Sequence, residues 1–218
     1  MGRSRAPTFA EEKALQAQGY LFVAGIDEVG RGALAGPVMA AAVILPQRVR
    51  APWLRQVRDS KLLTPERRES LSGLVREIAV AIGIGTAGND VIDSRGIARA
   101  TQIAMRDAVN QLSPRPEALL IDYFTLPGTD LPQKGVVDGD TLCLSIACAS
   151  IVAKVARDRL MTELDGRYPG YLFADHKGYG TAEHLECLRR LGPSPAHRLS
   201  FDPVRKLPLP FPPETPER

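Results

Sequence analysis

The stretch Gly25-Ile26-Asp27-Glu28-Val29-Gly30-Arg31-Gly32-Ala33-Leu34-Ala35-Gly36-Pro37 constrains this chain more than any other part of it. It follows the apolar run Tyr20 to Ala24, which reads as a buried β-strand, and that strand delivers two adjacent carboxylates, Asp27 and Glu28, to its end. Then comes a single cation between two glycines, Gly30-Arg31-Gly32. Carboxylates carried on a buried strand need a compensating charge. A hard divalent ion such as Mg²⁺ or Mn²⁺ supplies it through oxygen ligands, and glycines let backbone come close to a ligand. A solvated turn would use the same residues. Successive strand residues also point to opposite faces, so the two acids share a site only if the strand ends or twists between them.

The same device recurs. Ala118-Leu119-Leu120-Ile121 is a fully apolar strand that ends in Asp122, and in α/β sheets functional groups gather at the carboxyl ends of such strands. Another acid, Asp158, falls in a helix expected over 140–164, where Ala147, Ser150, Lys154 and Asp158 lie on one face. A plain ion pair with Lys154, worth about 0.3–0.5 kcal/mol when exposed, is the simpler account of Asp158. Carboxylates meeting at one place repel unless cations neutralise them. Two divalent ions roughly 4 Å apart are the usual apparatus for phosphodiester displacement.

The remaining elements follow from pattern and punctuation. A second strand, Val38 to Leu45, should lie antiparallel to the first across a short connection. Thr64 caps a helix with Pro65 in its first position. Ile78 to Gly85 reads as a third strand, Asn89 opens a helix to about Leu112, a short strand falls near Val136-Val137, and Thr181 starts a last helix to Leu191. Strands alternating with helices indicate a single α/β domain with a mixed sheet, expected over residues 19–206. An arm or short helix at 1–18 precedes it. The tail at 207–218 holds five prolines in twelve residues, a composition expected to stay unpacked.

With 218 residues the chain can bury one substantial core. No apolar run is long enough to span a bilayer, and the N-terminus lacks a signal-peptide core. The three cysteines, Cys143, Cys148 and Cys187, have no metal-like spacing and fit reduced thiols in a cytoplasm. His176, His184 and His197 are not at zinc spacing and read as structural or solvent-facing, with His197 a candidate tether for the C-terminal segment. Net charge is only +3, yet Arg48, Arg50, Arg55, Arg58, Lys61, Arg67 and Arg68 fall within 21 residues. Such a cluster is either a solvated face or a nucleic-acid contact.

These residues carry a resemblance. Gly25 to Gly32 resembles the signature of ribonuclease HII, the type 2 ribonucleases H. Further family blocks are matched in order by Asp59-Ser60-Lys61-Leu62, Ile121-Asp122, the helix Ser145 to Asp158, His176-Lys177-Gly178-Tyr179-Gly180-Thr181 and His197-Arg198-Leu199-Ser200-Phe201. The resemblance implies a ribonuclease H-like fold, with Asp27, Glu28, Asp122 and Asp158 holding a pair of Mg²⁺ or Mn²⁺ ions. It implies hydrolysis of the RNA strand of RNA–DNA hybrids and cleavage at single ribonucleotides in duplex DNA, leaving 5′-phosphate and 3′-hydroxyl ends. The biological task it implies is removal of misincorporated ribonucleotides and primers. Gly30, Arg31 and Gly32 would read the 2′-hydroxyl, which tells RNA from DNA. Tyr179 would pack on the sugar at the junction, and Lys61 and Lys177 would place phosphates. A monomer in the cytoplasm, with no membrane contact, is expected. Two positions depart from the family pattern: Asp138-Gly139-Asp140 stands where Lys-Gly-Asp is usual, and Cys143 replaces a small polar residue. Rival readings are another metal-dependent nuclease or strand transferase of the ribonuclease H-like group, a type 3 enzyme, for which about 19 residues before the first strand leave no room for its extra N-terminal domain, or a binding module that has lost catalysis.

Overall fold

A computed structural model describes residues 6–49, 51–58 and 60–207. Asp59 of the Asp-Ser-Lys block and the proline-rich tail beyond Leu207 lie outside the described residues.

In chain order the elements are α1 (Ala10–Gln16), β1 (Val23–Val29), β2 (Val38–Ile44), α2 (Pro65–Ile78), β3 (Ala81–Ala87), α3 (Asn89–Arg95) and α4 (Ile97–Asn110). After these come β4 (Ala118–Asp122), β5 (Gln133–Val136), α5 (Gly139–Leu142), α6 (Leu144–Arg167), α7 (Phe173–His176) and α8 (Ala182–Leu191). Among the described residues no helix is long and apolar enough to cross a membrane.

The sheet order is β3-β2-β1-β4-β5. β1 is antiparallel to β2 and parallel to β4, so the sheet is mixed, as the alternation of elements predicts. Both faces are covered, which is why β2 is apolar throughout. Its Ala40, Ala42 and Ile44 pack in the cluster with Met105 and Ala108 of α4, whereas Ala41 and Val43 pack with Ala147 and Ile151 of α6. β4 behaves alike: Leu119, Leu120 and Ile121 are fully buried, each worth about 1.5–3 kcal/mol against exposure.

Two expected helices are broken, each for a local reason. The stretch from Asn89 to Leu112 divides at Gly96, whose φ of +77° lies in the region that favours glycine; Asn89 donates its side-chain amide to the carbonyls of Pro195 and His197 instead of capping. The stretch from Asp140 to Leu164 divides at Cys143, which is extended (φ −113°, ψ 124°) and bridges to Thr8. α6 then restarts with the Ser145 N–H donated to Glu12 of α1 at 2.7 Å. A carboxylate on orphan N–H groups at a helix start is favourable, and it docks the N-terminal helix on the body. The caps at Thr64 and Thr181 form as their sequence predicts, each hydroxyl accepting from the N–H three residues on.

Candidate active site

The parallel register pairs Ile26 with Ile121, so the next residue on each strand, Asp27 or Asp122, is an acid. In both strands that position alternates away from the α4 side and toward α6. β1 does not end between Asp27 and Glu28. It runs on to Val29 against β2, while its β4-side pairing stops at Ile26. The unpaired edge of β1 is the wall of a cleft of about 260 Å³ lined by Asp27, Glu28, Gly30, Arg31, Gly32, Ser60, Lys61, Asp122, Asp140, Ser150, Lys154 and Tyr179.

The carboxylates there are electrostatically expensive. Asp27 is only 6% exposed. Burial, with Glu28 and Asp122 adding repulsion, holds its pKa well above the usual carboxylate range, while hydrogen bonds from Ser150 and the Glu28 N–H oppose the rise. Ser150 in turn shares a 3.0 Å hydrogen bond with Ser60. Burial also raises Glu28, against Arg31 at 3.5 Å; its Oε2 is buried with no hydrogen-bond partner. Asp122 is raised by burial and held down by the Gly139 N–H at 2.7 Å and by Lys61, with Asp138 repelling it. Among the described residues no three such side chains already stand at ligand spacing around one point; the acids line a wall. An all-oxygen set with a buried, orphaned carboxylate oxygen fits a hard divalent cation.

The structure brings Asp140 to this cleft, a residue the sequence reading passed over, and does not bring Asp158. Asp140 is 8% exposed. It sits on the single turn α5, whose first residue binds Asp122. Asp158 lines a neighbouring cleft instead. Its Oδ1 is 2.6 Å from Lys154 Nζ and its Oδ2 is 3.6 Å from Arg68. Two helical turns separate Ser150 from Asp158, so one helix face that starts in the acid cleft leaves it before reaching Asp158.

Two buried arginines hold the glycine-rich loop. Arg157 donates to the carbonyls of Pro37, Ala35 and Lys177, and Arg198 to those of Gly36, Arg31 and Gly30. Burial, then Arg157 nearby, lowers Arg198 to about 9. Gly30 has φ +86°, and a Cβ there would lie 2.1 Å from Arg157 Nε. Gly32 has nothing within 4 Å of the place its Cβ would take, so its backbone is open to a ligand in the cleft. Tyr179 is carried on a turn docked to this loop through Leu34 N–H to the Gly178 carbonyl at 2.7 Å. Its own carbonyl accepts from His184 Nδ1. Lys177 points elsewhere, with its amine on the Ala174 carbonyl at 2.6 Å in the neighbouring cleft.

The sequence matches the ribonuclease HII family profile over residues 24–204. The chain belongs to the ribonuclease HII family. A ribonuclease HII from Dehalococcoides mccartyi strain BAV1 is 57% identical over 199 residues, covering 91% of this chain and 94% of the relative. Among solved structures, the ribonuclease H2 of Pyrococcus horikoshii superposes with a TM-score of 0.70 at 24% identity, covering 85% of this chain and 96% of that one. Bst-RNase HIII in complex with Mn²⁺ gives 0.60 at 21%, covering 86% of this chain and 69% of that one. The fold is ribonuclease H-like, as the resemblance implies, and membership of the ribonuclease HII family makes the protein a nuclease of the hydrolase class.

Within this ribonuclease HII scaffold, sequence reasoning missed three further residues. Arg157 and Arg198 sit in family blocks as apparently ordinary surface cations, and only burial reveals their task. Asp140 had one available signal, an acid directly after the Asp138-Gly139 turn that follows β5.

Proposed function

We propose that this protein is a divalent-metal-dependent endoribonuclease that hydrolyses the RNA strand of RNA–DNA hybrids and cuts duplex DNA at single embedded ribonucleotides. The observation that carries the reading is the cleft at the β1 and β4 ends, where Asp27, Glu28 and Asp122 are raised by burial and Glu28 Oε2 has no partner. Carboxylates left uncompensated by their own protein are suited to a cation.

Asp27, Glu28, Asp122 and Asp140 are the proposed ligands. The chemistry such a site supplies when it holds Mg²⁺ or Mn²⁺, in the two-ion form, is activation of water and neutralisation of the leaving 3′-oxygen. That outcome leaves 5′-phosphate and 3′-hydroxyl ends. The protein's own groups do the selecting. The loop Gly30-Arg31-Gly32, fixed by Arg157 and Arg198, would read a 2′-hydroxyl, with Gly32 leaving its backbone open to the cleft. Tyr179 forms the wall on which the sugar of the ribonucleotide would pack, and Lys61 places a phosphate. Arg31 stays paired with Glu28 and lies 4.6 Å over the Phe124 ring, which steers that carboxylate. Removal of misincorporated ribonucleotides and of primers is the task such selectivity serves, carried out as a monomer in the cytoplasm.

The test is a DNA duplex with one ribonucleotide, incubated with and without Mg²⁺. Cleavage only with the metal, at the ribonucleotide, and with 5′-phosphate and 3′-hydroxyl products, is expected. Equal cutting of all-DNA duplex, or cutting in chelator, would refute the assignment.

A further inference from the structure

Beyond Lys154 the acid cleft gives way to a second one of about 550 Å³, whose lining includes Arg68, Lys154, Asp158, Arg159 and Lys177. Glu69 and Asp175 also line it, and Arg159 pairs with Glu69. Lys154 is the residue the two linings share. Its side chain is 16% exposed, and its amine lies 2.6 Å from Asp158 Oδ1 and 5.8 Å from the centre of the Tyr179 ring. Asp158 reaches Arg68 with its other oxygen at 3.6 Å, and Arg68 donates to the carbonyls of Ser60 and Leu63. One carboxylate therefore fixes two cations from two helices. Burial lowers the amine's pKa and Asp158 opposes that, favouring the charged form. An ammonium has three donors, and the Asp158 Oδ1 contact at 2.6 Å engages one of them.

A cation at the junction of two clefts, with Arg68 and Lys177 beyond it, marks a path for a polyanion leaving the acids. We propose that Lys154 contacts a backbone phosphate of the bound nucleic acid where the strand leaves the acid cleft, and that Asp158 is the residue that positions it. The inference rests on the reading of the site as a nuclease for ribonucleotide-containing duplex and adds a substrate contact to it.

Salt dependence reads this directly, because each phosphate neutralised by a cation adds about 0.9 to the slope of log affinity against log salt on duplex DNA. KM for a duplex carrying one ribonucleotide is measured with Mg²⁺ across a KCl series for the wild type, Lys154→Gln, Lys154→Met and Lys154→Arg. The Gln and Met forms should lose about 0.9 from the slope, and the Arg form should keep the wild-type slope. An unaltered slope in either removal variant overturns the phosphate contact. Wild-type protein that cuts nothing would instead sink the nuclease reading, so the two failures are distinct. For Asp158, kcat/KM is compared in a double-mutant cycle. Asp158→Asn should lower it when Lys154 is present and have little effect on Lys154→Gln; equal loss on both backgrounds would make Asp158 merely structural.

Discussion

Asp27 is a carboxylate kept where ionisation is least favoured, buried beside Glu28 and one strand from Asp122. Its folded-state pKa is raised above the ordinary 3.8. Between those two values the folded protein binds more protons than the unfolded chain, so stability falls as pH rises through that window and stays low at neutral pH. Asp27→Asn should therefore raise the melting temperature in chelator by a few degrees, at about 2–4 °C per kcal/mol for a chain of this size. Mn²⁺ bound to the native state should raise the wild type's melting temperature, and the same variant should lose that rise. A lower melting temperature in chelator, or an undiminished Mn²⁺ effect, would contradict the account of Asp27. Sequence alone made Asp27, Glu28 and Asp122 legible, because an apolar strand that stops at an acid is visible in one dimension. Asp140 was not singled out, since its single-turn helix blends into the longer helical pattern that follows, and the acid after the Asp138-Gly139 turn was a faint signal until the fold put it in the cleft. Asp158 lies on the helix face of Ser150 but two turns further along, where it lines the neighbouring cleft.

At the scale of elements, the glycine-rich loop is a surface held from behind by two arginines whose donors are spent on six carbonyls. Two neighbouring glycines separate support from recognition. Gly30→Ala drives a Cβ into Arg157 at a positive φ and should cost about 2–4 kcal/mol of stability. Gly32→Ala meets open space and should change stability by less than about 0.5 kcal/mol. It should nevertheless raise KM for a single-ribonucleotide duplex severalfold, because a methyl then stands between backbone and 2′-hydroxyl. Thermal unfolding and cleavage of the two variants check this; a Gly32→Ala enzyme with wild-type KM would remove the loop from recognition. Element existence was largely readable from periodicity and caps, as at Thr64 and Thr181. The breaks at Gly96 and Cys143 were not: the first is a glycine at φ +77° that the apolar periodicity runs straight through, and the second depends on the distant partners Thr8 and Glu12.

Across the whole molecule, a chain of histidines ties the C-terminal segment to the turn bearing Tyr179. His184 donates through Nδ1 to the Tyr179 carbonyl, which leaves its Nε2 to accept from His197 Nε2 at 3.0 Å. His197 Nδ1 accepts from the Ser194 N–H, consistent with that tautomer. Burial lowers His184 to about 4 and His197 to about 3. Their contribution to stability is complete above the unfolded value near 6.5 and declines as pH falls toward 4, opposite in sign to the trend from Asp27. Imidazole nitrogen NMR should find both rings neutral at pH 5.5, with the proton on Nδ1 of His184 and Nε2 of His197; a charged ring there would break the chain. His197 was readable as a tether for the C-terminal segment; the contacts among the rings were not, since they join segments that local patterns cannot connect. The central claim remains that four acids at one cleft, Asp140 included and Asp158 excluded, run the cleavage. The decisive measurement is the single-turnover rate on a single-ribonucleotide duplex with Mg²⁺ for Asp122→Asn, Asp140→Asn and Asp158→Asn side by side. The first two should fall by about 10²–10³-fold, the range lost when a transition-state contact is removed, and the third by no more than about tenfold, as for a residue that acts through Lys154. A near-normal Asp140→Asn, or an Asp158→Asn as dead as Asp122→Asn, would contradict it.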